Sequence, residues 1–192
     1  YTTLFRSDRL VSWANFTQTD YMRKYYPHVK KYSSVEEAIE KNYKNTFRSW
    51  GKHVLYYLLN TNPYIVFYER LKNFKDDEIL KLSKEINLPL KNDELKLIKK
   101  KTSYKNMKKN NPSHVRKGKS GQWEDELTNE QIEYAEKNLE YLLKILNYPV
   151  NKNEKKIPVA PKELNRDRIL KELNKLERPL PLKILHHIKN KI

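Results

Sequence analysis

Residues 64 to 69 read Tyr-Ile-Val-Phe-Tyr-Glu, and this short run constrains the fold more than any other stretch of the chain. A continuous apolar and aromatic run behind an Asn62-Pro63 turn is the pattern of a strand covered on both faces, as in a parallel sheet. Tyr1 to Phe5 is also β-rich and predicts a second strand. Most of the remainder reads as helix. Leu10, Val11 and Trp13 fit a helix start, and Ser34 with Glu37 forms a capping signature for a helix running to about Trp50. Gly51 is a candidate interruption, after which the helix resumes to about Asn60. Ile79, Leu80, Leu82 and Ile86 mark a helix over 76 to 86, and another is expected over 92 to 101. Thr128 and Gln131 make a second capping box, opening a helix over 129 to 147 with Ile132, Ala135, Leu139, Leu142, Leu143 and Leu146 on one face. Residues 21 to 34 and the basic stretch 103 to 127 have no clear period and read as loops.

The charge narrows the partners. Lys plus Arg is 40 against 24 Asp plus Glu, giving +16 over 192 residues, a length sufficient for one domain with its own core. Such an excess points to nucleic acid, an anionic membrane surface or a phosphorylated or sulfated small molecule, although a proteome rich in Lys and Asn accounts for part of it. There is no cysteine, which excludes disulfides and thiolate metal sites and fits the cytoplasm. No apolar run reaches the roughly 20 residues that span a bilayer, and no signal peptide is visible. After Tyr148-Pro149 the composition shifts: residues 151 to 192 hold 12 Lys or Arg and 5 Asp or Glu, with helices expected near 162 to 177 and 182 to 190.

Between Lys96 and Gly121 there are nine lysines, one arginine and no acid. Within this stretch residues 116 to 123 read RKGKSGQW and contain two of the chain's three glycines. Arg116 can bind a phosphate through two parallel hydrogen bonds, Lys117 adds charge, and Gly118 lets backbone N–H groups approach an anion closely. A solvated Lys-rich loop with a turn glycine accounts for the same residues equally well. Gly121 fits a tight turn, and Trp123 fits a packing anchor before the Thr128 helix.

The stretch RKGKSGQWEDELT, 116 to 128, resembles the C-terminal signature of the sulfotransferases that use 3'-phosphoadenosine-5'-phosphosulfate (PAPS): Arg116, Lys117, Gly118, Gly121, Trp123 and Thr128 all match. Four further segments are similar to the family in the same order: DRLVSW at 8 to 13, WGKHV at 50 to 54, YIVFYERLKNFKDDEILKLSKEINLPL at 64 to 90, and TSYKNMK at 102 to 108. The resemblance covers residues 1 to 149, leaving 150 to 192 as a basic helical extension. It implies a P-loop-type α/β fold, a parallel sheet with flanking helices, of which this chain holds the C-terminal, mostly helical part. It also implies transfer of a sulfuryl group to a hydroxyl or amine. By the same resemblance Arg116, Lys117, Gly118 and Ser12 hold the 3'-phosphate, Tyr68 contacts adenosine, and Thr102, Tyr104 and Met107 line the adenine. Arg6 is the candidate for a further phosphate-binding arginine, although the family places it eight residues before the serine and here it stands six before. Taken singly, Tyr68, Tyr104 and Met107 read as core residues.

The family's N-terminal phosphosulfate loop, with its lysine, and its general-base histidine are expected upstream of Ser12, and neither can be found. The glycines are Gly51, Gly118 and Gly121, and the histidines are His28, His53, His114, His186 and His187. The chain also opens on Tyr1 in what reads as mid-strand, so the N-terminal part of a longer protein is expected to be missing. His53 could face the acceptor, although a structural role beside Trp50 fits it better, and His114 belongs with the basic loop. His186-His187 lacks carboxylate or Cys partners for a metal. The rival to a sulfotransferase is a non-enzymatic module binding nucleic acid through the 96 to 121 cluster and the tail.

Overall fold

The run at 64 to 69 yields a far shorter strand than its composition predicts. In the computed structural model, which describes residues 2–3, 6–112, 115, 121–148, 157–161 and 164–174, β1 is Thr2–Thr3 and β2 is Val66–Phe67. They pair in parallel, Thr2 opposite Val66 and Thr3 opposite Phe67. Among the described residues the sheet amounts to this one pair. Val66 and Phe67 are both buried, as a strand covered on two sides requires. The chain turns into helix at Tyr68, beginning α4 (Tyr68–Asn73). The Tyr-Glu expected to end a strand therefore begins a helix.

The rest is helical: α1 (Arg6–Thr17), α2 (Asp20–Tyr25), α3 (Val35–Asn60), α5 (Lys75–Glu85), α6 (Asn92–Lys101), α7 (Tyr104–Asn110), α8 (Trp123–Glu126), α9 (Asn129–Ile145) and α10 (Arg166–Asn174). Three of these, α2, α7 and the single-turn α8, interrupt stretches expected to be loops. The Thr19 hydroxyl accepts from the Met22 N–H and starts α2, and Ser103 does the same for α7 through Asn106. Helices of 6 and 7 residues are too short to develop a legible apolar stripe.

The core lies where α3 meets α1 and α9. Ser34 caps α3 by accepting from the Glu37 N–H, while the Glu37 carboxylate reaches the Ser33 N–H and hydroxyl at 2.7 and 2.8 Å, one residue beyond the usual box. The helix then runs unbroken for 26 residues, so Gly51 does not interrupt it. Its reason is packing: a Cβ built on Gly51 would stand 2.7 Å from Leu139 Cδ2 of α9. Leu10, Val11 and Ala14 supply the buried stripe of α1, and Leu139, Leu142 and Leu143 that of α9. A fully buried leucine contributes about 1.5–3 kcal/mol. The helix expected near 162 to 177 is found as α10; it sets Ile169 and Leu173 into the same core and packs on α3 and α9. The helix expected near 182 to 190 lies outside the described residues.

Both ends of α9 are closed, its start as the Thr128–Gln131 box predicts, and each closure reaches another element. At its start the Thr128 hydroxyl accepts from the Gln131 N–H at 3.3 Å, and Gln131 Oε1 accepts from the Thr128 N–H at 3.1 Å. The Gln131 amide also donates to Glu40 on α3 at 2.8 Å. At its end Asn147 takes φ 56°, its N–H bonds the Lys144 carbonyl, and the Tyr148 N–H bonds the Leu143 carbonyl at 2.8 Å. That turn presents the Tyr148 ring edge-on to Phe67, with centroids 5.1 Å apart, and its hydroxyl donates to Glu69 at 3.2 Å. Thr128→Ala is expected to cost about 1 kcal/mol, lowering Tm by about 2–4 °C for a domain of this size, as read by thermal unfolding under circular dichroism.

Candidate anion-binding site

The first turn of α1 buries two polar side chains, Ser7 and Asp8. An isolated carboxylate in that position would be expensive to keep out of water. Here Asp8 Oδ2 accepts from the Gly121 N–H at 2.8 Å and Oδ1 from the Gln122 N–H at 2.9 Å, with the Trp123 N–H adding a third backbone donor. Burial pushes the Asp8 pKa up, and the three N–H groups and the charge of Lys72 pull the other way without cancelling it. One acidic side chain thus clasps a segment 113 residues further along the chain. Gly121 reaches it with φ +84°, a left-handed backbone that favours glycine, and the space around its Cα is open. Trp123 follows, buried in the core, as its reading as an anchor predicts.

Two turns further along α1, Asn15 Nδ2 donates to Glu126 Oε2 at 3.0 Å and to its own helix at the Val11 carbonyl. Asp8 and Asn15 therefore fasten both ends of the Gly121–Glu126 segment to one side of α1. Ser12 stands between them. At 3.6 residues per turn, positions 8, 12 and 15 fall within about 60° of arc. Ser12 is the exposed member of the three.

The start of α4 supplies a second wall. Tyr68, its first residue, is half-buried; burial raises its phenol pKa, and the negative charges of Asp8 and Glu69 add to the shift. Lys72, one turn on, is the cation whose charge reaches Asp8. The α4 start is itself held by Tyr148 through Glu69 and by Arg70, whose Nε and Nη2 meet Glu78 Oε1 of α5 at 2.9 and 2.8 Å. Asp8 of α1 and Tyr68 of α4, far apart in sequence, thus come near one another beside the anchored Gly121 turn, with Ser12 one turn beyond Asp8 on α1.

The sulfotransferase domain family matches residues 6–147 of this chain. The chain belongs to that family. No curated protein sequence matched it. The family match begins at the first residue of α1 and takes in every helix through α9, leaving α10 outside.

For a sulfotransferase-family chain, the remaining candidates fall into three groups. Thr102, Tyr104 and Met107 belong to the α6–α7 arm. Thr102 closes α6, its hydroxyl donating to the Ile98 carbonyl at 2.8 Å and accepting from the Lys75 ammonium. Tyr104 and Met107 are exposed on α7, at 49% and 42%. His53 lies on the exposed side of α3 with its ring edge-on to Tyr57, centroids 4.9 Å apart, while Trp50, one turn before it, is buried. Arg6 opens α1, while Arg116, Lys117, Gly118 and His114 lie outside the described residues.

Asp8 lies within DRLVSW, but its sequence context assigns it no role. An acid in a first helical turn ordinarily signals a favourable charge near exposed N–H groups, and nothing in DRLVSW says that this one is buried against a distant loop. Among the described residues no group of three or more His, Cys, Asp or Glu side chains could hold a metal ion, and no helix is long and apolar enough to cross a membrane.

Proposed function

We propose that this domain serves sulfuryl transfer from PAPS to a hydroxyl or amine acceptor, and that this chain supplies the grip on the 3'-phosphate and adenosine. The observation that carries the reading is the Asp8 clasp. It holds the Gly121 and Gln122 N–H groups, which follow the RKG of the RKGKSGQW motif in sequence, against the first turn of α1, one turn before Ser12. An exposed hydroxyl and a half-buried phenol suit a nucleotide there. The neighbouring Asp8 does not oppose an anion strongly, because both of its oxygens are occupied by backbone donors.

In this reading Arg116, Lys117, Gly118 and Ser12 hold the 3'-phosphate with Arg6 at the helix start, Tyr68 contacts the adenosine, and Thr102, Tyr104 and Met107 border the adenine. His53, beside Tyr57, is the acceptor-side candidate. The bound donor supplies the sulfuryl group; the chain's cations and N–H groups orient the nucleotide and meet its charge. A general base is still needed to take the acceptor proton. The 192 residues hold no glycine and no histidine before Ser12, so no residue of this sequence is assigned the phosphosulfate loop or the base.

Calorimetric titration with adenosine 3',5'-bisphosphate tests the reading. The 192-residue chain is expected to bind with micromolar or tighter affinity and to show no sulfation of acceptors on its own. Ser12→Ala should weaken binding about tenfold, the loss of one hydrogen bond to a charged group. Sequence-independent binding to DNA or RNA that falls steeply with salt, with no effect of the nucleotide, would favour a nucleic-acid module instead.

A further inference from the structure

We infer that Asp8 is a positioning residue of this site: by holding the Gly121 and Gln122 N–H groups against the first turn of α1, it fixes the anchored turn beside Ser12 and so sets the affinity for a ribose 3'-phosphate. The inference rests on the reading above and gives Asp8, which touches no phosphate in that reading, a role in setting the affinity.

Three observations carry it. The bonds are long-range, between residues 113 and 114 apart in sequence, so no local turn would hold Gly121 in that place without them. Both oxygens of one carboxylate are engaged by adjacent backbone donors, at 2.8 and 2.9 Å, on a side chain only 6% exposed. Finally, the bonded segment lies on the same side of α1 as Ser12 and is tied again by Asn15 to Glu126 at 3.0 Å. The groups facing Asp8 are Tyr68 and Lys72 from α4 and the three amides before and within α8, so its charge is met first by backbone donors and least by the charge of Lys72.

The chemistry demands a carboxylate. Two adjacent N–H donors need two acceptors, and an asparagine of the same shape offers one acceptor and an NH2 that would face a donor. Glutamate keeps both acceptors at a longer reach. From the other side of the contact, Gln122→Pro removes one N–H while keeping the backbone angle, since Gln122 has φ −68°, close to the value proline imposes.

The experiment compares adenosine 3',5'-bisphosphate with adenosine 5'-phosphate, which lacks only the 3'-phosphate, in calorimetric titrations of the full 192-residue chain. The wild type should prefer the bisphosphate. Asp8→Asn should lose about tenfold or more in bisphosphate affinity, from misplacement of charged hydrogen bonds, and change by less than about twofold for the 5'-phosphate. Asp8→Glu should recover much of the loss, and Gln122→Pro should weaken the bisphosphate alone by about threefold to tenfold. A general loss of structure would instead lower both affinities together. If Asp8→Asn proves too unstable to titrate, Gln122→Pro decides the matter from the loop side. A wild-type chain that binds both nucleotides equally would overturn the phosphate reading itself. A wild type that discriminates, with Asp8→Asn or Gln122→Pro discriminating as well as it does, would overturn the role of Asp8 alone.

Discussion

Replacing Arg116 by alanine is expected to lower the affinity for adenosine 3',5'-bisphosphate by about 100-fold. The proposed contact is a guanidinium bonding two phosphate oxygens in parallel, and hydrogen bonds between ionised partners are worth about 1.5–3 kcal/mol each. At about 1.4 kcal/mol per tenfold, losing the pair gives two decades or more. Arg116→Lys should fall between, because it keeps the charge and loses the planar geometry. A net charge of +16 attracts every anion to this surface, so a weaker nucleotide signal alone would prove little. Adenosine 5'-phosphate titrated at two salt concentrations separates the effects. General attraction falls for both nucleotides as salt rises, whereas the Arg116 contribution belongs to the 3'-phosphate. An Arg116→Ala chain binding the bisphosphate within about twofold of the wild type would remove this arginine from the grip.

The largest effect on stability is expected at Gly51, where α3 crosses α9. The Cβ of any other residue would stand 2.7 Å from Leu139 Cδ2 and 3.5 Å from both Leu142 Cδ1 and the Tyr141 hydroxyl. These neighbours have little room to retreat: Leu139 and Leu142 are buried, and burial pushes the Tyr141 phenol up to about 12. Alanine brings a helix propensity about 1 kcal/mol better than glycine, which offsets much of the contact with a leucine methyl. Gly51→Ala should therefore stay within about 1 kcal/mol of the wild type. Gly51→Leu has no such compensation. It must separate the helices or force off-rotamer side chains, at about 3 kcal/mol or more. That corresponds to a fall of about 6–12 °C in Tm. Equilibrium denaturation of the wild type and both variants checks the order. A Gly51→Leu chain as stable as Gly51→Ala would mean that the crossing relaxes freely.

These two positions mark what the sequence made legible. Helix α9 could be read almost to its ends, because the Thr128–Gln131 box and the leucine stripe are local patterns that need only neighbouring residues. Gly51 was visible but misread: glycine inside a helical pattern looks the same whether it breaks the helix or lets another helix approach, and only the partner distinguishes them. The strand at 64 to 69 failed for a related reason. Its composition suits burial, but strand length is set by pairing with a distant segment, and among the described residues Thr2–Thr3 is what pairs with it. Residues 103 to 110 hid α7 because its cap, Ser103, lies in a lysine-rich stretch where no apolar period develops. The motifs of the candidate site could be read in order, yet their meeting could not: that Asp8 is buried, and that it holds Gly121 and Gln122, depends on a contact between distant segments that no spacing rule reports.

The family match ends at residue 147, but the molecule's interior does not. Ile169 of α10, which packs on α3 and α9, is completely buried, so part of the solvent shield over the matched region comes from the sequence beyond it. Exchanging this domain with that of a relative at the matched boundary would leave α3 and α9 wet along one side; α10 has to travel with the helices it roofs.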